Sequence, residues 1–437
     1  MKKSPTAYIY TLGCRVNTCE SLSLADRLSE NGYRILKSID KETPDLIVVN
    51  TCAVTAESER KSAKAVRSFH SKFPDAVIMA AGCAVQLSGG KGFESARVLI
   101  GNSDKDVLAH YAKDMPKEKL SNIVSPDEFT RCSNSFSHTR YKTKCTVKIE
   151  DGCDSHCSYC IIPSLRGRVR SKDPDVLLEE IREKVESGAR EIVLTGIETG
   201  SYGKELSGVS LADILEKADD IDGLYLIRLG SMDPFCFNEV FISRIASLRH
   251  FEKHLHVSVQ SGSSKILALM RRKYNAEMLL ERIKKLYRAI PGLMLSADVI
   301  VGFPGETEED FEDTCRFAKE AEFYHMHIFP YSEREGTEAA TMAGSVPPAE
   351  RHRRASELER INLECKRKRL NEAVGGFDTV HFETQKDGVN KGYTSSFIPV
   401  RVECDEDLRD KIFRVKIKSA DLDGLCLTAE LCEELVF

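Results

Sequence analysis

Apolar β-type runs alternate with helical stretches twice along the chain, which predicts an α/β protein of two parallel-sheet units followed by a small β-barrel. Three features carry the prediction. The segments AYIYTL, DLIVVN and AVIMAA are separated by helical stretches near the N-terminus. Six further β-type runs recur with helices between them from Lys144 to about Tyr331, and six βα units make a partial (β/α)6 barrel. After Val374-Gly375-Gly376 come short alternating segments, TVHFET, KGYTSSFIPVRVE, KIFRVKIKSA and GLCLTAEL. A chain of 437 residues is too long for one core, and the expected units are 1–140, 141–371 and 372–437.

In the first unit, Ala7 to Leu12, Asp45 to Asn50 and Ala76 to Ala81 read as buried strands. Helices are expected over Glu20 to Asn31, ended near Gly32, and over about Ala56 to Phe73. Each strand is followed at once by a cysteine: Cys14, Cys52 and Cys83. Loops beyond the carboxyl ends of parallel strands converge on one crevice, so three cysteines distant in sequence can meet there. Any one alone is better read as a small buried hydrophobe. Cys19 is expected on the first helix and unbound. Residues from about Asp104 to Arg140 are polar and read as a helix and a linker.

In the second unit, strands are expected at Thr146 to Glu150, Glu191 to Thr195, Leu224 to Leu229, Leu255 to Gln260, Leu293 to Val301 and Met326 to Pro330. Asp173 and Pro174 suit the N-cap and first turn of a helix that stops near Gly188, and Thr307 with Asp310 forms a capping pair. In such a barrel the active site lies at the carboxyl ends of the strands. The residues standing there are Thr195-Gly196-Ile197-Glu198, Gly230-Ser231, Gln260-Ser261-Gly262 and Val301-Gly302. Glycine lets backbone approach a ligand and short polar side chains bind it, although ordinary βα turns use the same residues.

The stretch EDGCDSHCSYCIIPSLRGRVR places Cys153, Cys157 and Cys160 as C-x3-C-x2-C after the first barrel strand. Three thiolates on one tight turn grip a single metal centre and leave one position open, as catalysis requires. A Cys3His zinc site using His156 is the alternative. The spacing, with Tyr159 before the last cysteine, resembles the signature of radical S-adenosylmethionine (SAM) enzymes. That resemblance implies a [4Fe-4S] cluster whose open iron chelates SAM and splits it to a 5'-deoxyadenosyl radical. It also implies SAM contacts at Tyr159, Thr195, Gly196, Glu198, Ser231, Gln260, Ser261 and Gly302.

TLGCRVNTCES, NTCAVT and AAGC, followed by the C-x3-C-x2-C stretch, resemble the methylthiotransferase family over essentially the whole chain. The resemblance implies a second [4Fe-4S] cluster on Cys14, Cys52 and Cys83, carrying the transferred sulfur. It implies that one SAM methylates that sulfur and another generates the radical. TLGCRVN, NTCAVT and TGIETGSYG resemble the branch acting on N6-threonylcarbamoyladenosine at position 37 of transfer RNA (t6A37). The alternatives are the branches acting on isopentenyl-adenosine tRNA or on a ribosomal-protein aspartate and, outside the enzymes, a non-catalytic iron-sulfur RNA-binding protein. Glu198 departs from the family pattern, where Asn, His or Gln more often stands. The C-terminal segments resemble the TRAM domain, an RNA-binding module.

Composition bounds the partners. A net charge of -5 announces no global basic field, so nucleic acid must be met by local patches. Arg271 and Arg272 form one such cluster, and Lys391 and Tyr393 offer a charge and a stacking ring in the last unit. Glu372 to Phe437 is itself acidic, awkward for a phosphate backbone. The stretch Ala349 to Asn371 reads as a basic helix. Fifteen cysteines without a signal peptide point to metal ligation in a reducing cytoplasm, and no apolar run is long enough for a membrane helix. The anticodon stem-loop and an electron-donor protein such as a flavodoxin are the expected partners.

Overall fold

The computed structural model describes residues 4–436 except 104, 106, 115, 117, 130, 131 and 133–143. The expected boundary at residues 140 and 141 therefore lies outside the described residues. The first unit is a six-stranded parallel sheet of order β2-β1-β3-β4-β5-β6. Its strands are β1 (Thr6–Thr11), β2 (Arg34–Ile35), β3 (Leu46–Thr51), β4 (Val77–Gly82), β5 (Val98–Ile100) and β6 (Leu120–Asn122). The sequence reading finds β1, β3 and β4 and misses the others, because two or three residues show no period.

Helices cover both faces of this sheet, so β3 is buried at every position. Leu24 and Leu28 of α1 (Arg15–Glu30) and Leu108 of α4 (Val107–Lys113) pack against Val48 and Met79. Val66 of α2 (Ala56–Lys72) and Val85 of α3 (Cys83–Ser88) pack against Ile47, Val49 and Ile78. Helix α1 begins five residues earlier than its composition suggests. No side chain caps it at Cys14; the Asn17 amide instead donates to the carbonyls of Leu12 and Thr51, a long-range bond that no local signal announces.

The second unit has six parallel strands: β7 (Lys144–Lys148), β10 (Glu191–Thr195), β11 (Leu226–Leu229), β12 (His254–Gln260), β13 (Met294–Val301) and β14 (His325–Pro330). They form two three-stranded sheets, joined by single parallel bridges Ile227–Phe251 and Met232–Val257. Strands β8 (Glu150–Asp151) and β9 (Arg170–Ser171) pair antiparallel and bracket the C-x3-C-x2-C loop. That loop runs into α5 (Ile162–Arg166). Outside the sheets lie α6 (Pro174–Glu186), α7 (Leu211–Asp219), α8 (Glu239–Ala246), α9 (Ser264–Leu269), α10 (Ala276–Ala289), α11 (Glu308–Ala321) and α12 (Pro348–Ala373). Asp173 accepts from the N–H groups of Asp175 and Val176, and Thr307 with Asp310 closes a capping box, as their spacing predicts.

The last unit is a closed barrel of order β15-β16-β17-β19-β18. Its strands are β15 (Phe377–Lys386), β16 (Val389–Thr394), β17 (Pro399–Glu403), β18 (Ile412–Asp421) and β19 (Cys426–Leu435). Buried charge docks it on the larger barrel. Arg228 pairs with both Glu191 and Glu252, and Glu191 also meets His381 of β15 at 3.3 Å. Phe397, in a left-handed backbone conformation with φ +65°, lies 4.9 Å from the Arg228 guanidinium and stacks on Tyr393 at 4.8 Å. Among the described residues no helix is long and apolar enough to cross a membrane.

Candidate two-cluster active site

Cys14, Cys52 and Cys83 follow β1, β3 and β4 and line one cavity of about 520 Å³. Gly13, at φ +98°, lets two of the loops touch: a Cβ there would stand 2.7 Å from the Cys52 sulfur. Asn102 donates its amide to the Cys83 sulfur at 3.4 Å. Cys19 is buried on α1, its thiol pushed up to about 12 by burial and by Glu180, and it is not among the cavity walls. The same cavity is lined by Thr195, Gly196 and Ser231 at the barrel strand ends and by Tyr393 and Phe397 of the last unit.

The second cysteine set is held by backbone. Gly152, at φ +83°, approaches the Arg168 carbonyl so closely that a Cβ would stand 1.9 Å from its oxygen. The Cys153 N–H donates to Gly167 and the Cys160 N–H to Cys157. Burial pushes the Cys153 thiol up to about 11 and that of Cys160 up to about 12, so the free thiols are neutral and metal binding must release their protons. His156, the fourth donor of the zinc alternative, is exposed.

Between the two sets lies a buried charge network absent from the sequence reading. Arg166, 1 % exposed, bonds Asp151 at 3.0 and 3.1 Å, Glu20 at 3.1 Å and Asn17 at 2.8 Å. Lys148 binds Glu20 at 2.7 Å and Asp151 at 2.6 Å, and Lys105 also binds Glu20. Against the upward push of burial, Arg166, Lys105 and Lys148 hold the Glu20 carboxyl well below the usual range. These three cations, with Arg170 at 3.9 Å from Asp151 as a fourth, face two carboxylates, an excess of positive charge beside Cys14 and Cys83.

The strand-end residues divide. Thr195, Gly196 and Ser231 line the cavity. Glu198 accepts from the Asp233 N–H at 2.7 Å, and burial with Asp233 pushes its carboxyl up to about 7. Tyr159 stands edge-on to Phe303 at 6.5 Å, and Gln260 sits in a left-handed conformation, φ +70°, at the end of β12. Three expectations change. Ser261 is fully buried and its hydroxyl is engaged by Thr314 and the Ser263 N–H, so it serves the turn. The space over Gly196 and Gly302 belongs to protein side chains: a Cβ would meet Glu150 Oε1 at 1.9 Å and the Arg351 stem at 2.4 Å.

Glu150 is a buried residue that no motif singles out. Its Oε1 accepts from the Glu198 N–H at 2.7 Å, while Oε2 has no hydrogen-bond partner among the described residues. Burial, with Asp151 beside it, pushes its carboxyl well above the usual range.

The expected RNA contacts are scattered. Arg272 is a correction: only 6 % exposed, it donates to the Cys157 sulfur at 3.2 Å and to Asp233 at 2.8 Å. The left-handed turn at Arg271 folds its neighbour inward under the cysteine loop, leaving Arg271 exposed and paired with Glu338. Lys391 is exposed on β16, and Tyr393 is half-buried at the cavity wall. The basic helix is largely neutralised: Arg351, Arg353, Arg354, Arg360, Lys368 and Arg369 all bind carboxylates, and Arg367 reaches Asp423 at 3.4 Å.

A parallel half-barrel carrying three cysteines in the loop after its first strand defines a radical SAM enzyme, and residues 147–318 match the Radical SAM superfamily. Residues 6–100 match the group described as "Uncharacterized protein family UPF0004". The chain is 34% identical to the threonylcarbamoyladenosine tRNA methylthiotransferase MtaB of Bacillus subtilis, over 95% of this chain and 94% of that protein. It is also 34% identical to a tRNA-2-methylthio-N(6)-dimethylallyladenosine synthase of Clostridium botulinum, over 97% of this chain and 96% of that one. It therefore belongs to the radical SAM tRNA methylthiotransferases, enzymes that use SAM and [4Fe-4S] clusters. Among solved structures, the radical SAM methyltransferase TsrM of Kitasatospora setae shares the fold, with TM-score 0.55 and 14% identity over 77% of each chain. Among the described residues Cys14, Cys52 and Cys83 are the cysteines on the cavity wall, and Cys153, Cys157 and Cys160 lie together on their own loop and not on that wall; each set offers three thiols, as a cluster that keeps one iron open needs.

Proposed function

We propose that this enzyme converts N6-threonylcarbamoyladenosine at position 37 of tRNA to its 2-methylthio derivative. Cys153, Cys157 and Cys160 would hold the SAM-cleaving cluster, and Cys14, Cys52 and Cys83 the sulfur-carrying one. The observation that carries the reading is the single cavity that Cys14, Cys52 and Cys83 share with Thr195, Gly196 and Ser231. The C2 hydrogen of adenine is unactivated, so no acid-base pair replaces it by sulfur; a bound, reduced cluster supplies the electron that splits SAM to the radical that can.

The chain's own residues do the rest. Thr195, Glu198, Ser231 and Gln260 would face the cofactor, with Tyr159 behind them, while Glu150 and Arg351 pack over Gly196 and Gly302. Arg272 steadies the Cys157 thiolate through its hydrogen bond. The last unit covers the cavity with Tyr393 and Phe397 and meets the anticodon stem-loop through Lys391. An electron donor of the flavodoxin kind serves the barrel cluster, and the three units divide near residues 140 and 371.

The choice of t6A over the isopentenyl nucleoside rests on TLGCRVN, NTCAVT and the similarity to MtaB. Nucleoside analysis of tRNA from a strain lacking its own 2-methylthiolating enzymes, expressing this chain, tests it. The 2-methylthio derivative of t6A is expected; that of the isopentenyl nucleoside alone, or neither, overturns the reading.

A further inference from the structure

Within the basic helix α12 one cation differs from the rest. Among the described residues Lys366 has no carboxylate within ion-pair distance, although its neighbours Arg367, Lys368 and Arg369 all do. Its ammonium lies 5.1 Å from the centre of the Tyr324 ring, and both side chains line the cavity that holds the cysteines. Partial burial with no acid to offset it holds the ammonium below its ordinary range. A half-desolvated cation facing a cavity is stabilised when an anion enters.

Position selects the anion. Tyr324 and His325 stand at the start of β14, whereas Thr195 and Ser231 stand at the ends of β10 and β11. The strands are parallel, so Lys366 occupies the opposite end of the barrel interior from the cofactor-facing residues. The first unit joins the barrel at its carboxyl end, through Glu20 on Lys148 and Asn102 on the Leu165 carbonyl. C2 and C6 of adenine flank N1, so a base whose C2 faces the cysteines turns its N6 substituent off to one side of them, and Lys366 stands on the wall of the same cavity, ready for a chain that ends in an anion. The threonylcarbamoyl substituent ends in a carboxylate; the isopentenyl group is uncharged. His325, pushed down to about 4 by burial and by His327, stays neutral and adds no competing charge.

We propose that Lys366 binds the carboxylate of the threonylcarbamoyl chain and so selects t6A over uncharged N6 substituents, an assignment that rests on the t6A reading of this site. The full chain, reconstituted anaerobically, is tested for binding to anticodon stem-loops bearing t6A, its threoninamide analogue, or plain adenosine at position 37. The intact chain should prefer t6A to the amide. Lys366→Met should weaken t6A binding about tenfold to a hundredfold, the worth of a charge-assisted hydrogen bond, and change the other two less than twofold. Lys366→Arg should restore most of the preference, and unchanged iron content shows that both variants fold. Equal weakening of all three RNAs would assign Lys366 to backbone phosphate and overturn the proposal. Preference for t6A over the amide retained in Lys366→Met, or no such preference in the intact chain, overturns the proposal while leaving the t6A reading intact; no preference in the intact chain for t6A over plain adenosine overturns both.

Discussion

Replacing Arg166 by methionine removes the centre of the network that joins the first unit to the barrel. The guanidinium makes three contacts of 3.0 to 3.1 Å to Asp151 and Glu20 and one of 2.8 Å to Asn17, at 1 % exposure. Breaking a buried ion pair from one side costs about 3–5 kcal/mol, because the partner's charge stays buried. Lys148 and Lys105 remain on the same carboxylates, so the loss belongs at the lower end, about 3 kcal/mol. The chain has several units, so a single unfolding midpoint does not isolate the effect. Native-state hydrogen exchange does: amides of α1 and α5 should exchange roughly a hundredfold faster, while those of β15 to β19 keep their rates. Arg166→Lys should recover part of the protection. Rates of α1 within threefold of the intact chain would refute the reasoning and mean that the desolvation cost of Arg166 already cancels its pairing.

Glu198 sets a pH dependence. Its folded-state carboxyl lies at about 7 against an ordinary 4.5, so the folded chain holds that proton more tightly. Its contribution is intact below about pH 4.5 and is lost as pH rises through 7, at most about 3 kcal/mol. Amides of β10 and β11 in Glu198→Gln should therefore exchange more slowly than in the intact chain at pH 8 and alike at pH 5; the same ratio at both pH values would contradict the assignment. Gly196→Ala forces the Glu150 carboxylate aside and should cost about 1–3 kcal/mol in thermal stability, with weaker SAM binding by calorimetry; a neutral result would mean that Glu150 moves freely. Arg272→Met removes a cationic donor from the Cys157 sulfur, so the midpoint potential of the barrel cluster should fall in a redox titration followed by electron paramagnetic resonance, and an unmoved potential would count against that contact.

Some of this was written locally. The order of strands and helices, the caps at Asp173 and Thr307, and both cysteine sets are legible because each depends on neighbours a few residues away or on a strand's carboxyl end. Strands β2, β5 and β6 are too short to show a period, and the early start of α1 hangs on Asn17 reaching Thr51. Arg271 and Arg272 are adjacent and chemically alike, yet a left-handed turn sends one to solvent and the other beneath Cys157.

The sequence by itself carried the motifs, and their resemblance to the methylthiotransferase family is what implies radical chemistry at cysteine-held clusters; spacing alone left a zinc site open. Only the tertiary structure decided which charges are compensated. Whether Arg166, Arg272, Glu150 or Lys366 has a partner depends on residues tens to hundreds of positions away, and in a low-dielectric interior that pairing sets each group's role.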